Sequence, residues 1–334
     1  MRVDPEDLLA AVLADPADDA LRQVYADRLI ELGDPRGELI NLQYARLAGR
    51  LTEADTGREQ ELLAAHAIDW LGPLGVVVRQ GFEIERGFLR ACVVPYHRRA
   101  YNIERVAGHP LWATVEHFEG PPQIFLHQVM RALRSVTPAG GFVELCAGDV
   151  ERPIVRLDAG YLRIESLDAY AIGLATALPR LSELTFRGHQ QAALRFLLAA
   201  PVADRLERLI VVAGDGLDQP LAEWLRDASR ARIPVIVLDA SRWYTCERYE
   251  LRRRGASYDE IGLTIDRRIE AHMVTRIVAH LAGVVDRVRR VDVVVQRGTG
   301  GSSALRWGGE DTSGAFGGLR AVLDRFAEST FLFA

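Results

Sequence analysis

Leu181-Ser182-Glu183-Leu184-Thr185-Phe186 sets apolar side chains at its first, fourth and sixth positions, and this L-x-x-L-x-L pattern returns downstream. The further copies are Leu206, Leu209, Val211; Ile233, Ile236, Leu238; Tyr258, Ile261, Leu263; and Val288, Val291, Val293. Successive offsets are 25, 27, 25 and 30 residues, and weaker copies begin at Trp112, Phe142 and Tyr161. Apolar residues two apart share one face of a strand. A strand plus a returning helix fills about 25–29 residues in the longer leucine-rich repeats. The intervals Gln190–Ala200, Gln219–Ala228 and Asp266–Asp286 carry helical apolar spacing, so strand–helix units are expected. Such units bury their faces only against one another, which predicts a solenoid: a parallel sheet with helices on its outer side. The asparagine that ladders hydrogen bonds in leucine-rich repeats has no counterpart, since His189, Gly214 and Ser241 stand in its place. An ordinary α/β domain with several parallel strands is the competing expectation.

Upstream, Gly75–Gln80 and Phe82–Val94 read as strands. Before them the pattern is helical and punctuated by aspartate. Asp4-Pro5 reads as an N-cap with proline at the first helical position, Asp15-Pro16 ends that helix, and a second carries Leu21, Val24, Tyr25, Leu29 and Leu32. Gly33 fits its C-terminal cap, Asp34-Pro35 opens a third helix, and Thr52-Glu53 opens a fourth. The predicted division is a helical domain at 1–72 and a repeat array at 73–334.

The helical segment also resembles a known family. Leu9-Ala10-Ala11-Val12-Leu13-Ala14-Asp15-Pro16, Val24-Tyr25-Ala26-Asp27 and Gly33-Asp34-Pro35-Arg36-Gly37-Glu38-Leu39-Ile40 resemble the bacterial repeat-companion domain. Trp70-Leu71-Gly72-Pro73-Leu74 and Arg86-Gly87-Phe88 resemble the stretch that follows it. Leu21 and Arg28 depart from the proline and tryptophan of that pattern. The resemblance implies a head domain preceding repeats, commonly leucine-rich ones, and carries no chemistry onto these residues.

Composition excludes several classes. Of the 334 residues 49% are hydrophobic and 26% charged, which suits a folded protein. The net charge of −5 is concentrated in residues 1–43, where ten acids face four arginines. All 41 basic residues are arginine, so no phosphate-loop, Schiff-base or kinase lysine is available. Cys92, Cys146 and Cys246 form no CxxC pair, and the eight histidines show no metal-ligand spacing. His272, Arg276 and His280 share one helical face, expected to be a solvated flank beside Ile269, Met273, Ile277 and Leu281. The start of the chain lacks the pattern of a signal peptide, and no apolar run approaches the ~20 residues that span a bilayer, so a cytoplasmic location is expected.

Arg297-Gly298-Thr299-Gly300-Gly301-Ser302-Ser303 follows a strand, but no lysine or helix start accompanies it, so a loop is expected rather than a phosphate cradle. Arg252-Arg253-Arg254-Gly255-Ala256-Ser257-Tyr258-Asp259-Glu260-Ile261 resembles the opening of a helix-turn-helix, with Val274–Val278 placed like a recognition helix. DNA binding through residues 250–280 is therefore one alternative, and a metal-independent hydrolase without a recognisable motif is another. No nucleophile–base pair, metal cluster or cofactor fingerprint emerges, and none is expected.

The favoured expectation is a non-enzymatic scaffold that binds a protein, not nucleic acid or membrane, through the exposed strand face. In L-x-x-L-x-L the residue between the last two apolar positions and the one after them point outward. That selects Thr185 and Arg187, Ile210 and Val212, Val237 and Asp239, and Asp292 and Val294.

Overall fold

The computed structural model describes residues 4–95, 100–140, 145, 152–161, 173–187, 195, 197–213, 217, 219–241, 246–266, 271–296 and 312–333. The fold is α/β: N-terminal helices precede strands that pair mainly in parallel and do not close into a barrel. Two compact units are present, Met1–Val155 with Ala177–Arg180, and Arg156–Thr176 with Leu181–Ala334.

The first unit opens with helices α1 (Pro5–Ala14), α2 (Asp19–Glu31), α3 (Pro35–Leu47) and α4 (Glu53–Trp70). Each begins as the sequence dictates. The carboxylates of Asp4, Asp18 and Asp34 accept from N–H groups of the first turn, and Thr52 with Asp55 forms a reciprocal capping box. These bonds satisfy donors that a helix start leaves open. Gly33 follows α2 with φ +75°, the left-handed cap expected of it.

The expected strand at Gly75–Gln80 is absent. A short 3-10 turn covers Gly72–Val76 instead, with Pro73 at its second position, and Leu74, Val77 and Val78 are all buried. An apolar run bounded by proline and glycine satisfies the core without entering a ladder. The strands begin with β1 (Phe82–Glu85) and β2 (Phe88–Val93), an antiparallel hairpin turning at Arg86-Gly87. β3 (His117–Gly120) and β4 (Ser135–Pro138) then add in parallel. Trp112 does not open a strand. It lies in a 3-10 turn, donates its indole N–H to Val106 O at 2.6 Å, and meets the Phe118 ring edge-on.

The hairpin belongs to the helical core. Phe88 packs with Leu8, Val12, Tyr25, Leu29 and Ile40, and the guanidinium carbons of Arg22 and Arg36 lie 5.0 and 4.5 Å from its ring centre. Arg36 Nε donates to Gly87 O at 2.8 Å, while Gln43 accepts from Gly87 N at 2.8 Å and donates to Ile84 O at 2.9 Å. A Cβ on Gly87 would lie 2.2 Å from Ile40 Cγ1, and its φ of +76° already favours glycine. The division expected at residue 72 thus falls inside one unit, because α3 holds the hairpin turn.

The second unit holds β5 (Arg156–Tyr161), β6 (Glu183–Arg187), β7 (Arg208–Val212), β8 (Val235–Asp239), β9 (Glu247–Arg254), β10 (Ser257–Asp266), β11 (Arg290–Gln296) and β12 (Glu328–Phe333). β5 to β8 are parallel, as are β10 to β12. Only β9 runs antiparallel, to both its neighbours. The repeated apolar residues align across the strands: Leu184, Leu209, Ile236, Leu251, Ile261 and Val291 in one row, and Phe186, Val211, Leu238, Tyr249, Leu263 and Val293 in the next. All twelve are buried.

Helices α7 (Leu221–Ala228) and α8 (Ala271–Ala282) fall in two of the predicted intervals, with α5 (Ala100–Val106), α6 (Pro122–Phe125) and α9 (Thr312–Leu323) completing the labelled set. Most of the interval Gln190–Ala200 and the copy at Phe142 lie outside the described residues. Among the described residues the step from Ile233 to Tyr258 contains β9 and no helix, so residues 252–261, read as a helix-turn-helix opening, lie in a β-hairpin. Alternation in Tyr249-x-Leu251 is the period of a strand, and Gly255 turns the chain at φ +65°.

Because Phe88 joins the helices to the hairpin, Phe88→Ala should cost ~3–5 kcal/mol, the usual range for emptying a phenylalanine site. Urea unfolding checks this. A loss below about 1 kcal/mol would show that the hairpin is not part of the helical core.

Candidate binding face of the second unit

The residues nominated from sequence do share one face. Thr185, Ile210 and Val237 align, then Glu250, Gly262 and Asp292; Arg187, Val212 and Asp239 align, then Arg248, Thr264 and Val294. Arg187 is exposed, and Thr185, Ile210, Val212, Asp239, Asp292 and Val294 are half-buried. Val237 departs from expectation, with 0% exposure. Arg208 on β7 pairs with Glu250 on β9 at 2.9 Å, and that bridge crosses β8, the strand carrying Val237. Arg252 Nε adds a second bond to Glu250 at 2.8 Å.

β9 is what the sequence reading missed on this face, and it changes the surface. The apolar stripe of Ile210 and Val212 gives way to Arg248 and Glu250. Next to them Gly262 has no side chain, which leaves a hollow of about 350 Å³. Arg248, Glu250, Arg252, Thr264, Asp292 and Val294 line it. A Cβ on Gly262 would meet Glu250 Cβ at 3.6 Å, an ordinary contact, so the backbone does not require glycine there.

The charges around the hollow are unequally satisfied. Burial alone would raise the Glu250 carboxyl, but the Arg252 hydrogen bond and the charges of Arg252 and Arg208 outweigh it and hold it below its ordinary value. Asp292 accepts from Arg290 Nε at 2.9 Å and from the Thr330 hydroxyl at 2.6 Å. Arg248 has no ion pair or side-chain hydrogen bond among the described residues. Cys246 also borders the hollow, and burial raises its thiol, which disfavours the nucleophilic thiolate.

A second polar cluster lies on the helix-covered side. Glu247, fully buried, pairs with Arg276 of α8 and accepts the Tyr249 hydroxyl at 3.0 Å. The Tyr249 and His280 rings meet edge-on, 6.2 Å apart, and His280 Nδ1 accepts from Leu221 N at 3.2 Å. His272 is exposed as expected, but Arg276 is half-buried and His280 buried, because their side of α8 packs against β9. Tyr249 is pushed far up, first by burial and then by Glu247. His280 is pushed down to about 4, by burial and then by Arg276.

This cluster ties a helix to a strand. Glu247 spends its oxygens on Arg276 and Tyr249, and His280 Nε2 is buried with no hydrogen-bond partner among the described residues. No group of three His, Cys, Asp or Glu side chains able to hold a metal occurs among the described residues. Cys146, His97, His189 and the glycine-rich segment 298–303 lie outside the described residues. The chain matches no protein-family model, no curated protein and no solved structure.

The His280 environment sets a pH dependence. Between its ordinary value of 6.5 and about 4, the unfolded chain binds a proton that the folded chain refuses. Stability should therefore fall as pH drops through that window, and His280→Gln should remove about one proton's worth of the slope. Unfolding free energy measured at pH 7, 6, 5 and 4 tests it; identical slopes in both proteins would refute the assignment.

Proposed function

We propose that this chain is a non-catalytic scaffold whose second unit binds an acidic, extended protein segment across the strand face, with one carboxylate anchored in the Gly262 hollow. The reading rests on Arg248, a half-buried guanidinium with no ion pair or side-chain hydrogen bond among the described residues, set in a depression beside other arginines. A side chain that enters a hollow and meets an unsatisfied charge has the geometry of a binding anchor. Ile210, Val212 and Val294 supply apolar contact nearby, so the segment would pair apolar and acidic side chains.

In the same reading the second unit is a leucine-rich-repeat-like solenoid, and the first four helices are a repeat-companion head. In-register apolar rows, and the helices α7, α8 and α9 that follow β7, β10 and β11, support the former; the aspartate-capped helices and the Arg86-Gly87-Phe88 hairpin support the latter. Binding of DNA through a helix-turn-helix has no such support, since the arginine-rich segment is a strand pair. No described helix is long and apolar enough to cross a membrane.

Arg248→Glu and Gly262→Val change the hollow without touching the core. The expected result is loss of one specific partner captured from native extract, followed by at least about tenfold weaker binding when that partner is purified. Melting temperature should stay within a few degrees of the parent. An unchanged set of partners with both folded variants would overturn the proposal. Val237→Asp is unsuitable for this purpose, because it places a charge at a fully buried site.

A further inference from the structure

Four arginines line a cavity of about 430 Å³ in the first unit. Arg86 comes from the hairpin turn, Arg131 and Arg134 from the residues leading into β4, and Arg180 from the short segment Ala177–Arg180. The end of α1, with Asp15 and Pro16, supplies one wall. We infer that this cavity is a binding site for a small phosphate-bearing molecule, held through its phosphoryl oxygens.

The charge balance points that way. Arg86 is bound to Asp19 at 3.1 Å and to Glu116 at 2.6 Å. Glu116 is also shared with Arg90. Arg131 spends one nitrogen on Ala14 O at 2.8 Å, at the C-terminal end of α1. Arg134 and Arg180 have no ion pair or side-chain hydrogen bond among the described residues, and both are exposed enough to swing. The lining carries four cations against the two carboxylates of Asp15 and Glu116, in a chain whose net charge is −5. Mutual repulsion among such groups is relieved by a multivalent anion.

Backbone geometry adds an independent sign. Arg86 has φ +50°, and no other non-glycine residue among those described has a positive φ. A side chain larger than asparagine at the first turn position costs about 1 kcal/mol or more. The turn keeps arginine there, and Asp19 and Glu116 fix its guanidinium at the cavity wall.

The chemistry of the lining narrows the ligand. Arginine forks match phosphoryl oxygens in pairs, and the volume suits a small metabolite. The rest of the wall is alanine, proline and valine, without an aromatic ring on which a nucleobase would stack. Recognition is therefore of the phosphoryl group, whether it comes as free pyrophosphate or on an organic ester.

Calorimetry on the full chain with inorganic pyrophosphate, ATP and citrate tests this, using Arg134→Ala/Arg180→Ala as the variant, since neither side chain holds the fold. Pyrophosphate should bind, and the double variant should weaken it at least about tenfold with an unchanged melting temperature. Equal affinity for ATP and pyrophosphate would assign recognition to the phosphates alone; tighter ATP would place an ester in the cavity. No binding by the parent protein, unchanged binding by the variant, or citrate bound as tightly as pyrophosphate would overturn the assignment. Gly262→Val should leave pyrophosphate binding unaltered, which keeps the outcome separate from that of the strand face.

Discussion

Leu184, Leu209, Ile236, Leu251, Ile261 and Val291 occupy one row across six neighbouring strands, and every one is buried. Side chains alternate along a strand, so a slip of one residue at any pair would move that strand's apolar set to the open face. Register in the second unit is therefore fixed by burial. Once it is fixed, the identity of the opposite face follows without further freedom. Thr185, Ile210, Val237, Glu250, Gly262 and Asp292 must lie side by side, whatever the loops between them do.

Among the described residues of the second unit the antiparallel β9 breaks the strand–helix alternation, and the local chemistry grows from it. It brings Arg248 and Glu250 to the open face and Glu247 and Tyr249 to the helix-covered one. The bridge from Arg208 to Glu250 then buries Val237, and the bridge from Glu247 to Arg276 seats α8. A buried ion pair gains little net energy against its desolvation, but removing one partner is costly. Here the pair joins α8 to β9, so losing either Arg276 or Glu247 would leave a charge unpaired between them.

How legible all this was depends on the range of the interaction. Helix starts in the head were readable because a cap is made within three residues, as at Asp34 and Thr52. The apolar rows were readable because their spacing recurs. β9 was hidden although Tyr249 and Leu251 alternate, because three consecutive arginines and a glycine also fit a helical DNA-binding pattern. Val76-Val77-Val78 has strand composition, yet burial next to Leu74 satisfies it in a turn. The arginine cavity was unreadable in principle. Positions 86, 131, 134 and 180 meet only after the hairpin, the loop before β4 and a distant segment have packed.

The absence of lysine acquires a structural meaning in this light. The fold uses the guanidinium fork in ways an ammonium would not reproduce. Arg205 donates through two nitrogens to Leu174 O and Ala175 O, both at 2.9 Å, and Arg152 spans Phe125 O and Leu126 O. Arg22 and Arg36 lay their guanidinium groups over Phe88. These are carbonyls at segment ends and an aromatic ring, where a planar, weakly hydrated cation binds better than a compact one. Arg134, Arg180 and Arg248 do none of this work among the described residues, and each borders a hollow. In a protein whose arginines so often close its own structure, the ones left open at concave surfaces are where an outside anion has something to bind.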